Sequence, residues 1–205
     1  QAAAVLVKSK DELRTGALLR MAECLTEDLE LILDANQKDL VAAAKTGMAQ
    51  AMMDRLALTP ARVNGMAQGL RETAALPDPL GETLWEDKRP NGLRIRRVSI
   101  PLGVIALIFE ARPNVVSDAA GICLRAGNAC ILRGGKEAIR SNLAITLSLQ
   151  KALEEVGLPK DGVQLVENTN RESADAMMRL SDYVDVLIPR GGPELIRRVV
   201  EHASV

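Results

Sequence analysis

From Val104 onward the chain alternates four times between a short apolar run and a helical pattern, and this alternation limits the fold more than any other feature. Val104-Ile105-Ala106-Leu107-Ile108-Phe109 is unbroken by a polar residue, as expected of a parallel strand covered on both faces. It stops at the polar loop 110–114. Helical spacing then resumes at Val115, Ala119, Ile122 and Cys123 and ends near Gly127 and Asn128. Residues 129–132 read as the next strand, followed by a long helix over about 136–156 that Gly157 and Pro159 close. A strand at 163–166, a helix at 172–180, a strand at 184–189 and a helix at 193–202 complete the series. Strand–helix alternation of this kind predicts a doubly wound α/β sheet, with ligands at the carboxyl ends of its strands. Three polar loops fall at that edge: 110–114, 133–137 and 190–192.

Two of these loops share a wording. Arg133-Gly134-Gly135 follows one apolar run and Arg190-Gly191-Gly192 another, and each leads into a helix. Glycine lets a ligand approach the backbone closely, and a helix start offers unpaired N–H groups and the positive end of the dipole. A guanidinium beside such groups suits phosphate. Two such corners in one sheet point to an extended anionic ligand such as a dinucleotide. The plainer reading, two ordinary strand-to-helix turns, stays open on these residues alone. The G-x-G-x-x-G fingerprint is absent, so a dinucleotide would bind by another route. Asn114, just past the apolar run, could donate to a developing oxyanion or could cap the next helix. Arg112 beside it could hold a phosphate or a carboxylate.

The first third is helical. Ser9 and Glu12 have capping-box spacing ahead of Leu13, Ala17, Leu18, Met21, Ala22 and Leu25. A second amphipathic stretch ends at Gly47, and Thr59-Pro60 caps a helix running to about Ala75. These helices read as a layer covering the rest. Leu93, Ile95, Val98 and Ile100, interleaved with Arg94, Arg96 and Arg97, predict a half-exposed strand of the kind found at a sheet edge.

Only 1% of residues are aromatic, namely Trp85, Phe109 and Tyr183, which argues against a base-stacking platform for single strands. A net charge of −1 indicates no bulk attraction to nucleic acid or to an anionic membrane. One histidine, His202, argues against a His-based metal site, and no apolar run approaches the length of a membrane span. Three cysteines, an odd count without a tight pair or a signal peptide, fit a reducing, cytoplasmic setting, and Cys123 and Cys130 read as buried packing residues.

Residues 101–138, P-L-G-V-I-A-L-I-F-E-A-R-P-N-V-V-S-D-A-A-G-I-C-L-R-A-G-N-A-C-I-L-R-G-G-K-E-A, resemble the γ-glutamyl phosphate reductase family of the aldehyde dehydrogenase superfamily. So do residues 54–62, D-R-L-A-L-T-P-A-R, and 187–192, L-I-P-R-G-G, in the same order along the chain. The resemblance implies a Rossmann-like NADPH-binding domain over 81–205, with an N-terminal helical region at 1–80. It implies NADPH-dependent reduction of L-glutamyl 5-phosphate to glutamate 5-semialdehyde with release of phosphate. A Cys thiolate attacks the acyl carbon, an Asn steadies the oxyanion, and hydride resolves the thioester. By position Asn114 is that Asn, and Arg112 meets the substrate. Arg133, Gly134, Gly135 and Lys136 line the adenosine side of the cofactor. Gly191 and Gly192 face its pyrophosphate, with Arg190 a further contact.

In that family the nucleophilic Cys lies in a G-x-C-H-like segment beyond the second Arg-Gly-Gly helix, and no such segment precedes Val205. Residues 1–205 alone are therefore expected to have little or no reductase activity. The resemblance also implies a homo-oligomer, glutamate 5-kinase as a candidate partner, and a cytoplasmic setting. A reading from another class stays open: a non-catalytic nucleotide- or anion-binding module built on the two Arg-Gly-Gly corners.

Overall fold

A computed structural model describes residues 1–205. Five helices come first: α1 (Ala2–Leu6), α2 (Asp11–Glu27), α3 (Leu29–Lys45), α4 (Gln50–Leu56) and α5 (Pro60–Ala75). An antiparallel pair follows, β1 (Thr83–Lys88) and β2 (Arg94–Val98). Then come β3 (Val104–Phe109), α6 (Asn114–Arg125), β4 (Ala129–Arg133), α7 (Ile139–Glu155), β5 (Val163–Leu165), α8 (Arg171–Met177), β6 (Val186–Arg190) and α9 (Pro193–His202).

The four later strands form one parallel sheet in the order β5-β4-β3-β6. This is the doubly wound order: two strands are added on one side of β3 and the next on the other. The period of two in β3 divides its side chains between two cores. Ile105, Leu107 and Phe109 join the larger cluster with α6 and α7, whereas Ala106 and Ile108 join a smaller one with α8 and α9. The N-terminal helices form a further layer. Of these, α2, α3 and α5 pack on α6 and α7 while the short α1 reaches β4, and Leu18, Met21, Leu25, Val63 and Leu70 merge with the larger core.

Two local expectations are corrected. Ser9 does not cap α2: its hydroxyl donates to the Leu6 carbonyl at 2.5 Å, and Lys10 takes the cap position without a side-chain bond. The Arg-rich stretch is not half-exposed but wholly so. β1 and β2 pair only with each other, and every β2 residue is exposed. Adjacent Arg96 and Arg97 leave this ribbon no apolar face broad enough to lie on a core. The Thr59 cap is as expected, its hydroxyl accepting from the Arg62 N–H at 3.2 Å.

Candidate functional site

The strands β3, β4 and β6 end together. Ile108 stands opposite both Arg133 and Pro189, and Phe109 opposite Arg190. All three polar loops therefore meet at one edge, and the winding reverses between β3 and β6, where a crevice opens. The helix α9 begins there, with Gly192 at its cap and Pro193 in its first turn. The Gly192 N–H donates to Glu110 Oε1 at 2.9 Å. The next two amides, of Glu194 and Leu195, have no acceptor within the helix. A Cβ on Gly191 would lie 2.8 Å from Glu110 Oε1 and 2.8 Å from Leu195 Cδ2, so a side chain here would displace both from the turn. A cleft of about 350 Å³ lies here, lined by Arg55, Phe109, Glu110, Arg112, Arg190 and Gly191 among others. Free amides, a positive helix end and Arg190 make this corner fit an anionic nucleotide.

The first corner is built differently. A 3₁₀ turn, Lys136–Ala138, precedes α7, and the start of α7 is already occupied. Asp39 of α3, only 1% exposed, accepts from the Ser141 N–H at 2.8 Å, the Ser141 hydroxyl at 2.7 Å and the Arg140 N–H at 3.4 Å. The helix dipole is answered from inside the protein, which corrects the expectation of an open helix start here. Gly134 is buried, and a Cβ on it would overlap the Asn142 side-chain nitrogen and crowd the Phe109 ring at 3.0 Å. Its small size serves packing. The Arg133 guanidinium donates to the carbonyls of Thr169 at 2.8 Å and Asn170 at 2.9 Å, tying down the loop before α8. Gly135 is half-buried and Lys136 is exposed. Of the two cations in the first corner, Lys136 is thus the one left free to meet a ligand.

Asn114 is the first residue of α6 and does not cap it. Its amide nitrogen donates to Asp118 Oδ2 at 2.9 Å, one helical turn on. Burial pushes the Asp118 carboxyl above the usual carboxylate range, against the opposing pull of that hydrogen bond and of the Arg190 charge. A cleft of about 400 Å³ joins these two residues to Asp54, Arg55, Arg62 and Arg112. Arg62 is tied to the Asp54 carboxylate at 3.2 Å, the Ala57 carbonyl at 2.7 Å and the Asp54 carbonyl. The structure therefore brings Arg112, Asn114, Arg190, Gly191 and Gly192 to neighbouring clefts and leaves Arg133 and Gly134 in supporting roles. Sequence reading took the first third as cover and missed Arg55. The available signal was the 54–62 motif itself. Cys24, Cys123 and Cys130 are all buried and free, and none lines these clefts.

The aldehyde dehydrogenase family model matches residues 6–205. The chain belongs to the aldehyde dehydrogenase family. Among its relatives, the γ-glutamyl phosphate reductases of Xanthomonas campestris pv. campestris (strain 8004) and Moorella thermoacetica are each 52% identical to it, over all of this chain and 49% of their own length. The crystal structure of γ-glutamyl phosphate reductase from Thermotoga maritima superposes with a TM-score of 0.98 at 38% identity, covering 100% of this chain and 49% of that one. The chain thus spans about half the length of the curated relatives it matches. As in other aldehyde dehydrogenase family folds, helices cover both faces of a parallel sheet, and the family's chemistry is nicotinamide-dependent oxidoreduction.

Proposed function

We propose that residues 1–205 supply the cofactor-binding part of an NADPH-dependent γ-glutamyl phosphate reductase. The intact protein would reduce L-glutamyl 5-phosphate to L-glutamate 5-semialdehyde with release of phosphate, in proline biosynthesis. The reading is carried by one juxtaposition: the free start of α9 and the Asn114 amide open into adjoining clefts that share Arg112. The 52% identity with reductases of that name over the whole chain supports it.

The α9 amides, Gly191, Gly192 and Arg190 hold the cofactor diphosphate, and Lys136 meets its adenosine side. NADPH supplies hydride when bound. Asn114 steadies negative charge on the acyl oxygen, and Arg112 holds the substrate. The nucleophile comes from outside residues 1–205, because the three thiols present are buried away from both clefts. Residues 1–80 brace the cofactor domain at 81–205. No helix is long and apolar enough to cross a membrane. The exposed β1–β2 ribbon, with Leu84, Trp85 and Ile95 on its surface, offers a face for a homo-oligomer. The deciding experiment runs the intact protein in the dehydrogenase direction. NADP⁺ reduction should need both glutamate 5-semialdehyde and inorganic phosphate, and NAD⁺ should be used poorly. Turnover that ignores phosphate, or that prefers NAD⁺, rejects the assignment.

A further inference from the structure

We infer that Arg55, together with Arg112, forms the seat for the phosphate group of the acyl-phosphate substrate, an inference that rests on the reductase reading and refines it. Both arginines line the same three adjoining clefts. Neither guanidinium has a partner inside the protein, whereas that of neighbouring Arg62 is fully engaged. The backbone around Arg55 is nevertheless held firmly. Asn36, 1% exposed, donates to the Leu56 carbonyl at 2.9 Å and accepts from the Leu58 N–H at 2.7 Å. Arg62 grips the carbonyls of Asp54 and Ala57 from the other side, and the Leu56 side chain is fully buried against Ala43 and Ala138. A clamped backbone with a free cation at its centre is what a preorganised anion site requires.

The chemistry of the substrate places its phosphate in the same cleft. In an acyl phosphate one bridging oxygen separates the carbonyl carbon from phosphorus. A carbonyl held at the Asn114 amide therefore leaves the phosphate within reach of side chains sharing that cleft. There, Asp54 is neutralised by Arg62 and Asp118 is engaged by Asn114, so Arg55 and Arg112 are the uncommitted cations. Two guanidinium forks match a phosphate dianion. The other phosphate source, the cofactor diphosphate, is served by residues 190–192, which line the α9 cleft and not the one holding Asn114.

The test is steady-state kinetics of the intact protein in the dehydrogenase direction, where inorganic phosphate is a substrate. Arg55→Gln should raise the KM for phosphate by about 10–100-fold, the loss expected for one charge-assisted contact, with the KM values for semialdehyde and NADP⁺ unchanged. Arg55→Lys should show a smaller rise, since it keeps the charge and loses the fork, and it serves if the Gln variant does not fold. An unmoved phosphate KM in an otherwise active variant overturns the site. A raised KM for NADP⁺ instead overturns it in favour of the cofactor diphosphate. A wild-type protein with no phosphate-dependent NADP⁺ reduction sinks the reductase reading, and this site with it.

Discussion

The Asp118 carboxylate accepts from the Asn114 amide at 2.9 Å, and burial raises its pKa more than that bond and the Arg190 charge lower it. With a raised folded value, the native state holds its proton more tightly than the unfolded chain. Stability therefore falls as pH climbs from the ordinary carboxylate range to the raised value, and the ionised group is a burden at neutral pH. Asp118→Asn should raise the unfolding midpoint at pH 7, with the gain fading as pH drops below the ordinary carboxylate value. Urea titrations at several pH values would show this, and a gain that grows toward acid would contradict the assignment. That a destabilising charge sits beside Asn114 is consistent with a site tuned for function. Gly134 makes the opposite case, a residue whose constraint is packing. Its missing Cβ leaves room for Asn142, which is fully buried and has both side-chain polar atoms unpaired, and for the Phe109 ring. Gly134→Ala should cost about 1–3 kcal/mol by overpacking, read as a lower urea midpoint at constant m-value.

Among the elements, α7 depends most on a residue far away. Asp39 caps it from α3 across 102 positions of sequence, through the Ser141 N–H and hydroxyl. Asp39→Ala removes the cap and leaves buried donors unmatched, at a cost of about 2–3 kcal/mol. Hydrogen exchange should quicken first in the opening turn of α7. Loss of protection spread evenly over the chain would count against a capping role. This contact also marks where sequence reading stops. Val104–Phe109 was legible as a central strand because burial on both faces leaves no polar residue in it, and α9 was legible from Pro193 to His202 because Pro193 opens it locally. The capping of the start of α7 by Asp39 was not, because an acceptor supplied by another helix leaves no mark at residues 136–141. Arg55 lies within the 54–62 motif, but, exposed at the end of a seven-residue helix, it shows nothing in periodicity or composition that separates it from a solvated cation. The Arg-rich ribbon was legible as strand, but its separation from the main sheet was not, since alternation reports exposure and says nothing about which partner pairs.

At the scale of the whole molecule, the helical region at 1–80 and the sheet at 81–205 share one core. Of the 31 residues in the larger cluster, thirteen precede residue 81, among them Leu18, Met21, Leu25, Val63 and Leu70. The second cluster, on the far face of the sheet, has only 7 buried residues and cannot carry the fold alone. Buried arginines add a polar tie between the two parts. Arg125 of α6 donates to Asp11 and to the Leu76 carbonyl at 2.5 Å, and Arg14 of α2 pairs with Asp78 at 2.7 Å. Removing residues 1–80 would expose the outer faces of α6 and α7 and strand the Arg125 guanidinium, which is almost wholly buried. At about 25 cal/mol for each Å² of apolar surface returned to water, losing one layer of a two-layer helical packing exceeds the usual 5–15 kcal/mol margin of a domain. Residues 81–205 expressed alone should therefore fail to fold, and residues 1–205 should unfold in one transition by far-UV circular dichroism. Trp85 is a poor probe of that transition, because it sits half-exposed on the β1–β2 ribbon and reports the ribbon before the core. A folded 81–205 fragment with cooperative melting would mean that the helical layer is an accessory. A single transition lost on cutting at residue 80 would mean that the layer which carries Arg55 to the site is also half of what holds the sheet in shape.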